Sequence, residues 1–465
     1  MNDLGSAPAG LRRCLGPMEV TAQAVGTVGL TLTAVFNIPQ AMRGAGSATW
    51  ISYALALTLV LLVSETLVLF RRLPGSPSGI AGYVRAGLGD RLGSTASWTL
   101  LLGYGATLVA CLLFFGFFLE LLLLHVGLKA PPLLAFVPGG LVCLELARRD
   151  VQLSTRTMLL TESISALIIL SLTVVIVWHG WGAADLRAIN PLNDTVAEVR
   201  SGLMVGVLSF IGFESAANLG REVLHAERAV PRSLRTAVLI AGVLFMVWGA
   251  FLPEGLAWLP EAARQSLDPL SALAEQMGIP GAGLWIKVGA VLCLFGTCIG
   301  ALTALARLAY HLALQGVLPL SLAQVHPRYG TPSRALLAVG VPLVAVGALV
   351  VQRQLNISQI FGLFGGFAVL AFLLVYGLVA LASLRVSLPG NSRSRRLLVG
   401  GACLVAVCAM AVAYVSGAVG EQNGMLLTFA ALLLIGALRV WWVVPRFADP
   451  GRLIDSARLR ESRSK

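Results

Sequence analysis

Apolar runs of about 20 residues recur along this chain, the length a helix needs to cross the ~30 Å hydrocarbon core of a bilayer. They follow one another from residue 21 to residue 444 with only short polar intervals. In hydrocarbon each backbone N–H and C=O must find its partner inside the segment, so such runs can only be α-helices. Twelve spans are expected, at 21–41, 48–70, 95–124, 131–147, 157–178, 201–219, 236–258, 284–308, 335–351, 357–384, 397–419 and 425–444. Composition excludes the soluble alternative. With 57% hydrophobic and 12% charged residues, a 465-residue chain has too little polar surface to cover a globule. The expected fold class is therefore an all-α integral membrane protein.

The basic residues give an independent check, because the hydropathy argument does not use them. With the N-terminus placed inside, Arg43, Lys129, Arg187, Arg200, Arg264, Lys287 and Arg353 fall outside; the other 27 of the 34 Lys and Arg fall inside. This asymmetry fits twelve spans with both termini cytoplasmic, a multi-pass protein of the cell membrane. The net charge of +12 is spread over short clusters between apolar runs, which argues against a nucleic-acid partner. Residues 1–20 form a short tail without a cleavable signal pattern. The basic tail at 445–465, with Arg446, Arg452, Arg458, Arg460, Arg463 and Lys465, is suited to anionic lipid headgroups. Seven cysteines lie mostly inside the apolar runs without metal-ligand spacing, and they read as small hydrophobes. No metal or cofactor is expected. The five histidines are scattered, with no H-E-x-x-H and no nucleophile–base pairing, so an integral-membrane enzyme is disfavoured.

Two spans break the apolar pattern near their middles. The first places Gly26, Gly29, Thr31 and Thr33 ahead of Val35, Phe36 and Pro39. The sixth is interrupted at Phe210-Ile211-Gly212-Phe213-Glu214. Interrupted spans at corresponding places in two halves point to a transporter binding site; close packing through small residues is the competing reading. Their separation suits two inverted five-helix repeats, about 21–178 and 201–384, followed by two extra helices over 397–444. A carboxylate inside a span is costly and marks a candidate functional group. Glu214 is the preferred candidate for carrying a coupling proton and Glu162, in the fifth span, is second, because removal from water favours the neutral acid. For Glu162 a boundary position bonded to Arg148, Arg149 or Arg156 is the alternative. Glu65 reads as interfacial, and Glu120 and Glu145 as span-end residues.

Three stretches carry a family resemblance. Phe210, Gly212, Phe213 and Glu214, with Glu222, Val223, Pro231 and Arg232, match F-x-G-F-E followed by E-E-V-x-x-P-x-x-x-x-P-R. Arg307, Tyr310, Gly316, Pro319, His326, Pro327, Thr331 and Pro332 match a loop motif after the eighth span. Pro77, Gly79 and Tyr83 match a segment after the second. The chain resembles the APC superfamily of amino acid–polyamine–organocation permeases. The resemblance implies a LeuT-like 5+5 inverted repeat plus two C-terminal helices, and uptake or exchange of amino acids or related amines by alternating access. Polyamine or organic-cation transport is the nearest alternative, and a membrane channel or sensor the one from another class. By the same resemblance the first span unwinds at Leu32-Thr33-Ala34, where the usual glycines are missing. The implied substrate site comprises Thr31, Leu32, Thr33, Ala34 and Val35 with Phe210, Ile211, Gly212 and Phe213. Backbone N–H groups of the first span would hold a substrate carboxylate, and carbonyls near Phe210 an ammonium. The lysine that some permeases carry in the fifth span is replaced by Ser165. The aromatic and glycine residues from Phe361 to Phe367 read as a gate or as packing.

Overall fold

The structure, a computed structural model, describes residues 11, 13–72, 79–149, 151–180, 195–353, 357–386, 392–420 and 422–444. The basic tail at 445–465, Pro77 and Arg187 lie outside the described residues. Among the described residues the architecture is all-helical, with one isolated β-bridge between Leu15 and Val223. Ten helical segments among the described residues are long and apolar enough to cross a membrane.

The first of the ten, Pro17–Leu69, extends over 53 residues. Drawn out straight at about 1.5 Å per residue it would be more than twice as long as a bilayer core is thick. It is instead broken three times: at Gly29, at a π-helical turn over Thr33–Asn37, and at a 3-10 turn over Gly46–Ala48. The first two expected spans both fall within it. The fourth expected span coincides with the helix Pro132–Arg149, whose 18 residues include Glu145, Arg148 and Arg149 and which is not among the ten.

The most enclosed helix is Ala282–Leu314, with 78% of its most apolar window buried, packed against Asp90–His125 and Val151–Gly180. Ser333–Gln352, Arg393–Ala418 and Asn423–Val443 bury only 28%, 28% and 22% of theirs, so they present apolar side chains outward as a lipid-facing layer. The helix Val196–Phe210 packs on Thr49–Leu69, and Pro17–Val28 packs on Ala226–Ala257 and Val151–Gly180.

Charged groups gather at the ends of the helices. Arg148 and Arg149 both bind Glu145, at 2.8 and 2.7 Å. Glu65, expected at the interface, receives Arg235, with one bond of 2.7 Å, and Arg395 at 3.4 Å. One pair is fully enclosed: Arg307 donates two 2.9 Å bonds to Glu222. The backbone of Glu222 also accepts from Cys14 and Leu15, which ties the start of the chain to the segment after the broken sixth helix.

Candidate substrate site at two broken helices

The two interrupted segments meet in the interior. The helix Pro17–Val28 ends at Gly29, whose φ of 71° is left-handed and readily open only to glycine. The break thus lies at Gly29, ahead of the expected Leu32-Thr33-Ala34, which are helical or π-helical. The reason is local: none of residues 32–34 is a glycine able to take that backbone conformation. On the other segment, Val196–Phe210 ends in a turn through Gly212 (φ 115°), and a four-residue helix resumes at Ser215. A Cβ on Gly212 would lie 2.5 Å from the carbonyl oxygen of Thr27, so the two broken helices cross with backbone against backbone. Ser215 Oγ completes the crossing, donating to Thr27 Oγ1 at 3.0 Å and to the Gln23 carbonyl at 3.2 Å.

Beside the crossing is a cavity of about 50 Å³. Leu32 and Ile211 line it, with Asn37, Thr107, Phe114, Thr297 and Phe361 among their neighbours. Other expected site residues lie close by without lining it. Phe210 packs on Phe245 at 4.9 Å between ring centres, and Phe213 faces Tyr376 at 6.3 Å. Thr33 Oγ1 accepts from Asn37 Nδ2 at 3.4 Å, whereas Thr31 Oγ1 is buried without a partner. Ala34 and Val35 are fully buried.

Both acids are interior. Glu214 accepts from Tyr104 Oη at 2.7 Å, Tyr376 Oη at 2.9 Å and the Gly212 N–H at 3.2 Å. It thereby joins the broken sixth span to helices Asp90–His125 and Gly366–Arg385. The arginines expected to bond Glu162 have other partners: Arg148 and Arg149 bind Glu145, and Arg156 approaches Glu19 at 3.6 Å. Glu162 Oε1 accepts the N–H groups of Leu30 and, at 3.3 Å, Thr31. The Leu32 N–H points to Cys293 Sγ at 3.3 Å. The N–H groups just past the Gly29 break, expected to receive a substrate carboxylate, are therefore occupied by side chains of helices Val151–Gly180 and Ala282–Leu314. The physical reason is that a helix N-terminus in an apolar interior leaves costly unpaired donors, and a carboxylate satisfies them.

A family model described as "Amino acid permease" matches residues 15–455. The chain belongs to the amino acid permease family. The permease is 28% identical over 397 residues to an uncharacterized transporter of Mycobacterium tuberculosis, covering 84% of each chain. It is 26% identical over 364 residues to the low-affinity putrescine importer PlaP of Escherichia coli, covering 71% of this chain and 76% of that one. Its fold resembles the crystal structure of the Eremococcus coleocola manganese transporter in complex with an aromatic bis-isothiourea substituted compound. The TM-score is 0.58 at 15% identity, over 97% of this chain and 99% of that one, a likeness of fold alone.

Sequence reasoning about the permease missed Tyr104, Tyr376 and Cys293, the partners of the two acids and of the broken helix. Tyr104 and Tyr376 sit inside apolar helices, where a tyrosine reads as core packing. Asn37 was legible in principle: it is an amide within an apolar span, where polar residues are rare.

Proposed function

We propose that this permease is a secondary active transporter that carries amino acids or related amines across the cell membrane by alternating access, driven by protons. The crossing of two broken helices beside an interior cavity carries the reading, since backbone released from helical bonding is tolerated in a membrane only where it serves a site. We count twelve spans, taking Pro17–Leu69 as two and adding Pro132–Arg149 to the ten, with both termini in the cytoplasm. Two inverted five-helix repeats and two C-terminal helices account for that order. The family description supports the amino acid class, and the similarity to a putrescine importer supports extending it to polyamines.

Between the two acids, the geometry favours Glu162 as the proton carrier. Both oxygens of Glu214 accept hydrogen bonds, whereas Oε2 of Glu162 has no partner. A proton can settle on Glu162 Oε2 without displacing an existing bond. Glu162 also ties the helix Val151–Gly180 to the segment just past the first break, so its charge bears on the segment that must move.

The test is counterflow in proteoliposomes preloaded with unlabelled amino acids and amines. A carrier shows accelerated entry of labelled substrate when unlabelled substrate waits inside. Entry indifferent to internal substrate would leave a channel, and no entry a non-transporting sensor.

A further inference from the structure

We infer that this permease holds its substrate through an ammonium group, lines its cavity with no free N–H or O–H donor for an α-carboxylate, and so carries organic amines in preference to the corresponding amino acids. The inference rests on the permease reading above and narrows its substrate class.

Hydrogen-bond donors decide the matter. A carboxylate only accepts, so a site for one must offer N–H or O–H groups or a cation. At the first break the backbone donors are spent: Leu30 and Thr31 on Glu162, Leu32 on Cys293 Sγ, and Thr33 on the Gly29 carbonyl at 3.2 Å; the unpartnered Thr31 hydroxyl is not among the groups that line the cavity. Glu162 sits where the carboxylate of a zwitterion would otherwise go. The polar side chains lining the cavity have likewise given up their protons. Thr107 donates to the Gly103 carbonyl at 3.0 Å, Thr297 to the carbonyls of Cys293 and Gly26 at 3.0 and 3.1 Å, and Thr27 to the Gln23 carbonyl at 2.6 Å. Asn37 spends its Nδ2 on Ser209 Oγ at 3.0 Å and Thr33 Oγ1 at 3.4 Å. Lone pairs on Thr107, Thr297 and the Asn37 carbonyl remain.

What is left suits a cation. Among the described residues no lysine, arginine or histidine lines the cavity. Helices Pro17–Val28 and Val196–Phe210 both end at the crossing, and the C-terminal end of a helix carries partial negative charge. Phe114 and Phe361 line the cavity, each packed on Phe36, at 4.5 and 5.3 Å between ring centres. Aromatic faces attract ammonium groups and offer a carboxylate nothing. A volume of about 50 Å³ accepts the head of such a molecule, and the remainder enters as the cavity opens.

The experiment measures initial uptake by the purified permease in proteoliposomes, using labelled pairs that differ by one carboxylate: putrescine and ornithine, agmatine and arginine, phenethylamine and phenylalanine. In any pair that is carried, the amine is expected to exceed the amino acid by at least about tenfold in kcat/KM. An amino acid carried as well as its amine, or better, would overturn the inference and leave the permease reading intact. If neither member of any pair moves, the reading as an amine or amino acid permease falls, and the inference with it. Replacing Phe361→Leu is expected to raise the KM of the preferred amine by about tenfold with little change in kcat. An unchanged KM would overturn the placement of the ammonium in this cavity.

Discussion

Two acids buried in the same protein differ in what surrounds them, and that difference fixes their expected behaviour. Glu214 is a structural hub: two tyrosine hydroxyls and a backbone N–H converge on it. Glu162 caps a helix with one oxygen and leaves the other unpartnered. Glu162→Gln retains a carbonyl oxygen for the Leu30 and Thr31 N–H groups but cannot exchange a proton. The variant is therefore expected to keep substrate exchange and lose the acceleration of uptake by an inward proton gradient. Uptake at fixed internal pH, with external pH and sodium varied separately, checks this. In the wild type, external acidification is expected to speed uptake; a Glu162→Gln protein that still responds would remove Glu162 from the coupling. The sequence marked both residues as acids inside apolar spans, and that much follows from hydropathy. Their partners were illegible because Tyr104, Tyr376 and Cys293 are far away along the chain and look like ordinary core residues.

Elements behave here as broken rods held at one crossing. Gly212 combines a left-handed backbone with the absence of a Cβ that would meet the Thr27 carbonyl. Gly212→Ala must strain the turn, by about 1–3 kcal/mol for the backbone alone, and push the two helices apart. The expected outcome is a protein that still inserts but has lost most of its transport, read as uptake normalised to the amount reconstituted. The sixth-span break was legible because a glycine and a carboxylate stand together in an apolar run. The first was displaced by three residues. Sequence anchored it on Val35, Phe36 and Pro39, whereas backbone sterics put it at Gly29, where φ is 71°. Of the expected unwound residues, Thr33 and Ala34 instead enter the π-helical turn over Thr33–Asn37 while Leu32 is α-helical, so the irregularity is present and its form is different.

At the scale of the whole molecule, the Arg307–Glu222 pair, 99% buried on both sides, joins the helix Ala282–Leu314 to the segment after the sixth-span break. Breaking one half of a buried ion pair leaves an uncompensated charge, so Arg307→Met is expected to cost about 3–5 kcal/mol. Adding Glu222→Leu removes the stranded charge and is expected to restore a large part of that loss. Thermal unfolding of both variants in detergent measures the difference. No recovery in the double variant would mean that the pair's packing, and not its charge, holds the two segments together. The orientation has its own test. Ser321 lies in the connection between Ala282–Leu314 and Ser333–Gln352, on the side the basic residues assign to the cytoplasm. A cysteine there, made by Ser321→Cys, is expected to react with a membrane-impermeant thiol reagent only when the cytoplasmic face is exposed.

Sequence alone determined that the chain is helical and embedded in a membrane, and indicated which residues are costly enough there to matter. Those properties follow from transfer free energies and backbone satisfaction, which accumulate residue by residue along one segment. The motifs at Phe210–Arg232 and Arg307–Pro332 also led to the permease family, which the match across residues 15–455 shows. Only the tertiary structure decided which groups remain free to receive a substrate. Leu30 and Glu162 stand 132 positions apart, yet one bond between them closes the place where a carboxylate was expected. Hydrogen-bond satisfaction in an apolar interior is a property of what is brought together in space, and no local pattern in the chain records it.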